Sequence, residues 1–222
     1  MTDERETLQK EYAARFDGLE AYRDRVWSVL CDDYFSKHIG PQDTVLDLGS
    51  GYGEFIRNIS AGQKHALDLN PDAADRVGPQ TTFHNVDCSK PWPVEPGSID
   101  VVFTSNFLEH LLSKDDLETT LDHALAALKP GGRIVCLGPN VRFVPGAYWD
   151  FWDHHVPITE RSLAEVLELR GFAVDEVIDR FLPYSMSDGG RPVPMAFVSW
   201  YLKIRPAWRI LGKQFLVVAH KP

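Results

Sequence analysis

The chain has 222 residues, of which 44% are hydrophobic and 25% charged, a composition typical of a folded globular protein and not of a disordered one. Its formal net charge of −9 gives no general attraction to nucleic-acid phosphates, so we expect no DNA or RNA partner. Three widely spaced cysteines exclude a disulfide framework and favour a reducing, cytoplasmic setting.

The N-terminal part of the chain is predicted to be helical. Residues 3–38 contain little Gly or Pro, and their apolar side chains recur at helical spacing until the break at Ile39-Gly40-Pro41. The first residues are charged and lack an apolar stretch, so we expect no signal peptide. No apolar run is long enough to span a bilayer.

Short strands alternate with helices in the central part. We predict five strands, at 45–49, 65–70, 81–87, 98–106 and 133–140. A helix is expected over 54–59, and a second begins at Ser113, whose side chain can cap the amide three residues later. The alternation predicts a mostly parallel sheet that is covered on both faces.

The last third begins with a long aromatic loop. Residues 139–159 carry two histidines and lead into a predicted helix over 160–170, which Thr159 caps and Gly171 ends. Two final strands are expected, within 172–184 and 214–222. The whole chain is interpreted as one domain, with an N-terminal cap at 1–40, a core at 41–140 and the lid and acceptor side at 141–222.

The strongest chemical signal is the segment VLDLGSGYGEF, a strand that runs through a glycine-rich turn into a helix. Glycines allow a sharp turn and a close approach of the backbone to a ligand, although a tight turn alone also uses them. Asp47, just before the turn, is placed to hold a cationic amino group. Asp68 at the end of the second strand can accept hydrogen bonds from two ribose hydroxyls, and Asp87 with Cys88 could meet an adenine edge.

Five segments stand in an order typical of one enzyme family: VLDLGSGYGEF, ALDLNPDA, FHNVDCS, SIDVVFTSNFLEHL and LKPGGRIVCLGPN. On these motifs, residues from about 40 to 175 resemble the class I S-adenosylmethionine-dependent methyltransferases. The resemblance implies an α/β fold with a Rossmann-like, doubly wound sheet of seven strands in the order 3-2-1-4-5-7-6. The last strand would be antiparallel, and a lid would lie between strand 5 and the following helix. S-adenosylmethionine would be the cofactor and S-adenosylhomocysteine the product.

The resemblance also assigns a role to each matching residue. Those at the methionine end of the cofactor would be Asp47, Gly49, Gly51 and Gly53, with Ser105 and Asn106 as the floor beneath. Those at the ribose would be Asp68 and Leu69, and those at the adenine Asp87 and Cys88.

Three histidines are the candidates for a catalytic base. His110 follows the fourth strand, and His154 and His155 lie in the predicted lid, where Asp153 could orient either one. The alternative for each is a histidine that only packs. We expect methyl transfer to a small or medium acceptor, a metabolite or sugar, at oxygen. One alternative is N-methylation of a small amine. The other is a protein with the same pocket that transfers no methyl group, such as a cyclase, a decarboxylase or a binding module.

A narrower resemblance bears on metals. In the ubiquinone-pathway O-methyltransferases a Glu-x-x-Glu-His run after strand four is associated with a divalent metal. Here Asn106 replaces the first carboxylate, so we expect no metal.

Two aromatic regions leave alternatives open. The lid aromatics could line the acceptor site or pack on their own domain; they are Phe143, Tyr148, Trp149, Phe151 and Trp152. The predicted helix at 195–211, interrupted by Pro206, mixes aromatic and basic residues. It could contact a membrane surface, form a homodimer contact, or bury its aromatic residues against the sheet.

Overall fold

The N-terminal helix packs against the body of the protein through one apolar stripe. A computed structural model describes residues 20–184 and 192–222. Helix α1 (Glu20–Asp33) buries Val26 and Leu30 on one face, four residues apart as a helical stripe requires. The part of the predicted cap that precedes Glu20 lies outside the described residues.

Seven strands form one sheet, as the family resemblance implied. In chain order, β1 to β7 are Thr44–Leu48, Gln63–Asp68, Thr81–Asn85, Ile99–Ser105, Leu128–Pro139, Ala173–Ile178 and Gln214–His220. Their order in the sheet is β3-β2-β1-β4-β5-β7-β6. Strands β1 to β5 are parallel, and β7 runs antiparallel to both of its neighbours, β5 and β6. The predicted fold class is confirmed.

Both faces of the sheet are covered. In β1 and β4, Val45 and Phe103 belong to the apolar cluster on one face, whereas Leu46 and Val102 belong to the cluster on the other. Successive side chains of a strand point to opposite faces, so a strand buried on both sides is apolar throughout. This double burial explains why the central strands read as continuous apolar runs.

The helices after β1 begin at or next to the residues that the sequence predicts, whereas α1 ends at Asp33 and not at the predicted residue 38. Helices α2 to α6 are Glu54–Asn58, Lys114–Ala127, Glu160–Leu169, Met195–Lys203 and Arg205–Leu211. Ser113 caps α3 by accepting a hydrogen bond from the Asp116 amide at 3.1 Å, and Thr159 caps α4 in a reciprocal arrangement with Ser162. Pro206 has no amide hydrogen to continue the ladder, and α5 and α6 are accordingly separate. Within the described residues, every helix is too short or too polar to cross a membrane.

Candidate active site

The predicted site residues gather around one cavity at the carboxyl ends of the parallel strands. The cavity has a volume of about 550 Å³, within the range of small-molecule sites. Twelve of the thirteen predicted residues line it: Asp47, Gly49, Gly51, Asp68, Leu69, Asp87, Cys88, Ser105, Asn106, His110, His154 and His155. The sheet therefore brings together groups that lie more than a hundred residues apart in the sequence.

Gly53 is not among the residues that line this cavity. It stands at the start of α2 with a φ of 74°, and an added Cβ would lie 2.7 Å from the Cα of Val77. A glycine is required at this position because of the left-handed backbone and the close packing against Val77. Gly49 is closer to the site: its φ is 69°, and a Cβ there would overlap the Phe107 ring.

Asp68 holds the glycine-rich turn in place. One carboxylate oxygen accepts a hydrogen bond from the Gly51 amide at 2.7 Å, and the other accepts one from the Asn70 amide at 2.8 Å. Burial raises the pKa of Asp68, whereas these amide hydrogen bonds act in the opposite direction. Each oxygen keeps a further lone pair, so the carboxylate can also accept from two ligand hydroxyls.

Asp47 lies deeper and concentrates negative charge in the cavity. Its pKa is raised well above the usual value by burial and then by the charges of Asp68 and Glu54. Arg23 on α1 partly offsets this charge through an ion pair with Glu54 at 2.8 Å. A ligand cation placed beside Asp47 would relieve the remaining repulsion.

The two other predicted contact points are ordered by local hydrogen bonds. Asp87 accepts from the amide and hydroxyl of Ser89 at 2.9 and 2.8 Å, and the adjacent Cys88 is a buried free thiol. Asn106 has a φ of 49°, which makes it the one non-glycine residue in the left-handed region within 20–184 and 192–222. Such strained positions cluster at functional sites. Its side-chain amide donates to the Ser105 hydroxyl at 2.9 Å.

A group of ionisable side chains lies opposite the glycine-rich turn. Nδ1 of His110 lies 3.0 Å from a carboxylate oxygen of Asp153, which fixes the orientation of the imidazole ring. Nε2 of His110 lies 4.0 Å from a carboxylate oxygen of Glu109. The rings of His110 and His154 have centroids 4.8 Å apart. We call Glu109, His110, Asp153 and His154 the acceptor-side cluster.

Burial separates the two lid histidines. His154 is 7% exposed and packs among the rings of Tyr148 and Phe151, with centroid distances of 4.7 and 5.0 Å. His155 is exposed, and its backbone amide donates to the carbonyl oxygen of Glu109 at 2.8 Å. His154 therefore belongs to the acceptor-side cluster, whereas His155 lies at the solvent side of the cavity wall.

The environment of the acceptor-side cluster raises the pKa values of two of its members. Burial raises the pKa of Glu109 to about 7, with the proximity of His110 acting in the opposite direction. Burial lowers the pKa of His110, but its hydrogen bond with Asp153 and the charges of Glu109 and Asp153 leave it raised overall. Groups of this kind are suited to exchanging protons near neutral pH.

The lid aromatics divide between lining the cavity and supporting it. Phe151 and Trp152 line the cavity, and Trp152 is 89% exposed at its edge. Tyr148 is fully buried and its hydroxyl donates to the Val156 carbonyl, so it supports the lid. Phe143 lies under the Arg180 guanidinium at 4.7 Å.

Several lining residues were not predicted from the sequence: Arg23, Trp27, Tyr52, Glu54 and Glu109. Arg23 and Trp27 lie on α1, whose position over the cavity has no local sequence signal. In the sequence, Glu109 stood out only as part of the incomplete Glu-x-x-Glu-His run after β4. Its burial depends on the lid, which folds over it.

The sequence matches a known protein family over most of its length. A family model described as Methyltransferase domain matches residues 19–177, more than half of the chain. Phosphoethanolamine N-methyltransferase 1 of Triticum aestivum is 34% identical over 101 residues, which are 41% of this chain and 20% of that protein. The matches to curated relatives cover between 20% and 42% of those proteins' lengths.

Solved structures share the fold over nearly the whole chain. A SAM-dependent methyltransferase from Archaeoglobus fulgidus is 21% identical with a TM-score of 0.65, over 90% of this chain and 94% of that one. The N-methyltransferase NodS from Bradyrhizobium japonicum, in complex with S-adenosylhomocysteine, is 16% identical with a TM-score of 0.65, over 98% of both chains. The chain belongs to the methyltransferase domain family, with the fold of the S-adenosylmethionine-dependent class I methyltransferases.

Proposed function

We propose that the chain transfers the methyl group of S-adenosylmethionine to a hydroxyl oxygen of a small or medium-sized metabolite or sugar. One observation carries the proposal: the acceptor-side cluster lines the same cavity as Asp68 and the glycine-rich turn. In the proposal, the donor site and the group that takes up the proton therefore share one cavity.

The donor half of the cavity suits an adenosyl sulfonium. In the proposal, Asp47 faces the methionine amino group and Asp68 accepts from the ribose hydroxyls, while Leu69 packs at the ribose. Asp87 and Cys88 face the adenine. A cationic cofactor beside these carboxylates would relieve the burial and repulsion that raise the pKa of Asp47, and would favour its ionised form.

The acceptor half must position a hydroxyl and accept its proton. In the transfer, the oxygen forms a bond to the methyl carbon, the sulfur–carbon bond breaks, and its electron pair remains on sulfur. The hydroxyl proton passes to the acceptor-side cluster. His110, positioned by Asp153, and His154 are the proposed proton acceptors, and general-base help of this kind contributes about 10²–10⁴-fold. Alignment of the two reactants contributes about 7–11 kcal/mol more.

The test is a methyl-transfer assay against a panel of hydroxyl- and amine-bearing metabolites, with S-adenosylhomocysteine and the methylated product both identified by mass spectrometry. Product methylated at oxygen supports the proposal. Product methylated only at nitrogen overturns the oxygen assignment, and cofactor binding without product from any acceptor favours the non-methylating alternative.

His110→Ala is paired with His155→Ala, because both residues line the cavity but only His110 belongs to the acceptor-side cluster. We expect His110→Ala to lower turnover about 10²-fold or more, with cofactor affinity nearly unchanged. The exposed His155 should tolerate the same change with a much smaller effect on turnover. Equal effects of the two variants would contradict the role of the cluster.

A further inference from the structure

Three ligand-type side chains of the acceptor-side cluster converge on one point. Glu109, His110 and His154 each offer one oxygen or nitrogen atom, and these three atoms all lie within 4.8 Å of one another. Two imidazoles and one carboxylate are a donor set that suits first-row transition metals. From the sequence we expected no metal, because position 106 carries Asn and not a carboxylate; the third candidate ligand here, His154, comes instead from the lid.

The distances are within reach of real coordination. Zinc bonds to nitrogen and oxygen of about 2.0–2.2 Å place tetrahedral ligand atoms roughly 3.3 Å apart. Nε2 of His110 lies 4.0 Å from a carboxylate oxygen of Glu109. This pair would need to close by about 0.7 Å, and a pair at the widest separation of 4.8 Å by about 1.5 Å, which rotation of the side chains can supply.

Asp153 supports His110 in the way that neighbouring carboxylates support metal-binding histidines. Asp153 holds Nδ1 of His110, which leaves Nε2 on the side of Glu109. A carboxylate on the far nitrogen of a ligating histidine fixes the ring and increases its basicity. The lid is also tied to the site, because the amides of His155 and Val156 donate to the Glu109 carbonyl at 2.8 and 3.1 Å.

The local charge favours a cation. Glu109 is 2% exposed, and within the part of the chain that the structure describes its ion-pair partner is His110 alone. A buried carboxylate is costly unless it is paired or coordinates a metal. Together with Asp153, the cluster contains two carboxylates and two histidines. When both carboxylates are ionised and both histidines are neutral, a dication would balance the charge.

We propose that Glu109, His110 and His154 form a binding site for a transition-metal dication of the zinc class. All three residues line the cavity, so a further ligand would come from that side. This inference has a consequence that rests on the proposed function: the metal takes the histidine lone pairs that proton acceptance needs, so zinc inhibits methyl transfer.

Binding is measured on the full chain after dialysis against a chelator, by titrating Zn²⁺ in competition with a chromophoric chelator. We expect one equivalent to bind. Glu109→Gln keeps the shape of the side chain and removes its charge, and it should weaken binding by about 100-fold. Asp153→Asn should weaken binding by about 10–100-fold, as loss of an outer carboxylate does. His155→Ala is the matched control from the same loop and should leave the affinity unchanged.

The outcomes separate the metal site from the proposed reaction. Thermal unfolding of each metal-free variant shows whether it is folded, and Co²⁺ substitution reports histidine ligation by its visible absorption even if one variant is unstable. Zinc binding that is equal in wild type, Glu109→Gln and His155→Ala, or no binding at all, would overturn the site and leave the proposed function intact. Transfer that requires zinc would support the site but overturn histidine as the proton acceptor.

Discussion

Asp68→Ala tests how the cavity holds its cofactor. The carboxylate has two functions in the account: it accepts from the ribose, and it accepts from the amides of Gly51 and Asn70 at 2.7 and 2.8 Å. Loss of hydrogen bonds to a charged group costs about 1.5–3 kcal/mol, which corresponds to roughly 10- to 150-fold in affinity. Because the glycine-rich turn also loses its anchor, we expect the upper part of this range.

The assay is isothermal titration calorimetry with S-adenosylmethionine and with S-adenosylhomocysteine. Asp72→Ala is the matched control, since Asp72 is an exposed acid only four residues away. Thermal unfolding shows whether each variant is folded. An Asp68→Ala protein that is folded and binds within about threefold of wild type would refute the ribose role.

Three further predictions concern stability. In urea unfolding, Gly49→Ala should destabilise the protein more than Gly97→Ala. Both glycines have a left-handed φ, which costs an alanine roughly 1–2 kcal/mol. Only at Gly49 would the added Cβ also overlap the Phe107 ring. Equal losses would contradict that packing. Thr159→Ala should cost about 1 kcal/mol in the same assay through loss of the α4 cap, and no change would refute the cap. Burial lowers the pKa of His38 to about 4 in the folded protein, whereas the unfolded chain keeps the ordinary value of about 6.5. As the pH falls, the unfolded chain is therefore protonated before the folded one, and the free energy of unfolding decreases between about pH 6.5 and pH 4. His38→Gln should remove about 1–2 kcal/mol of that dependence between pH 7 and pH 5, and an unchanged profile would disprove it.

Local chemistry explains why most of the fold was predictable. A cap such as Ser113 acts within four residues, and the glycine-rich turn requires left-handed backbone that few residues adopt. The sheet order, by contrast, came from the family motifs, because strand periodicity does not say which strands are neighbours. The antiparallel β7 was expected from that source as well.

The donor side of the cavity was easier to predict than the acceptor side. Asp47 and Asp68 stand at strand ends, and parallel strands bring their carboxyl ends to one edge. The choice between His154 and His155 depended on how an irregular loop packs, which its sequence does not encode locally. Arg23 reaches the cavity only because α1 packs across it, so its pairing with Glu54 had no signal in the neighbouring residues.

A crystal structure of the protein with S-adenosylhomocysteine would show where the cofactor binds. We expect the ribose hydroxyls within hydrogen-bond distance of the Asp68 carboxylate, the amino group beside Asp47, and the sulfur directed at the acceptor-side cluster. Electron density for the cofactor outside the cavity, or inside it with the sulfur directed away from His110, would rule out the proposed binding mode.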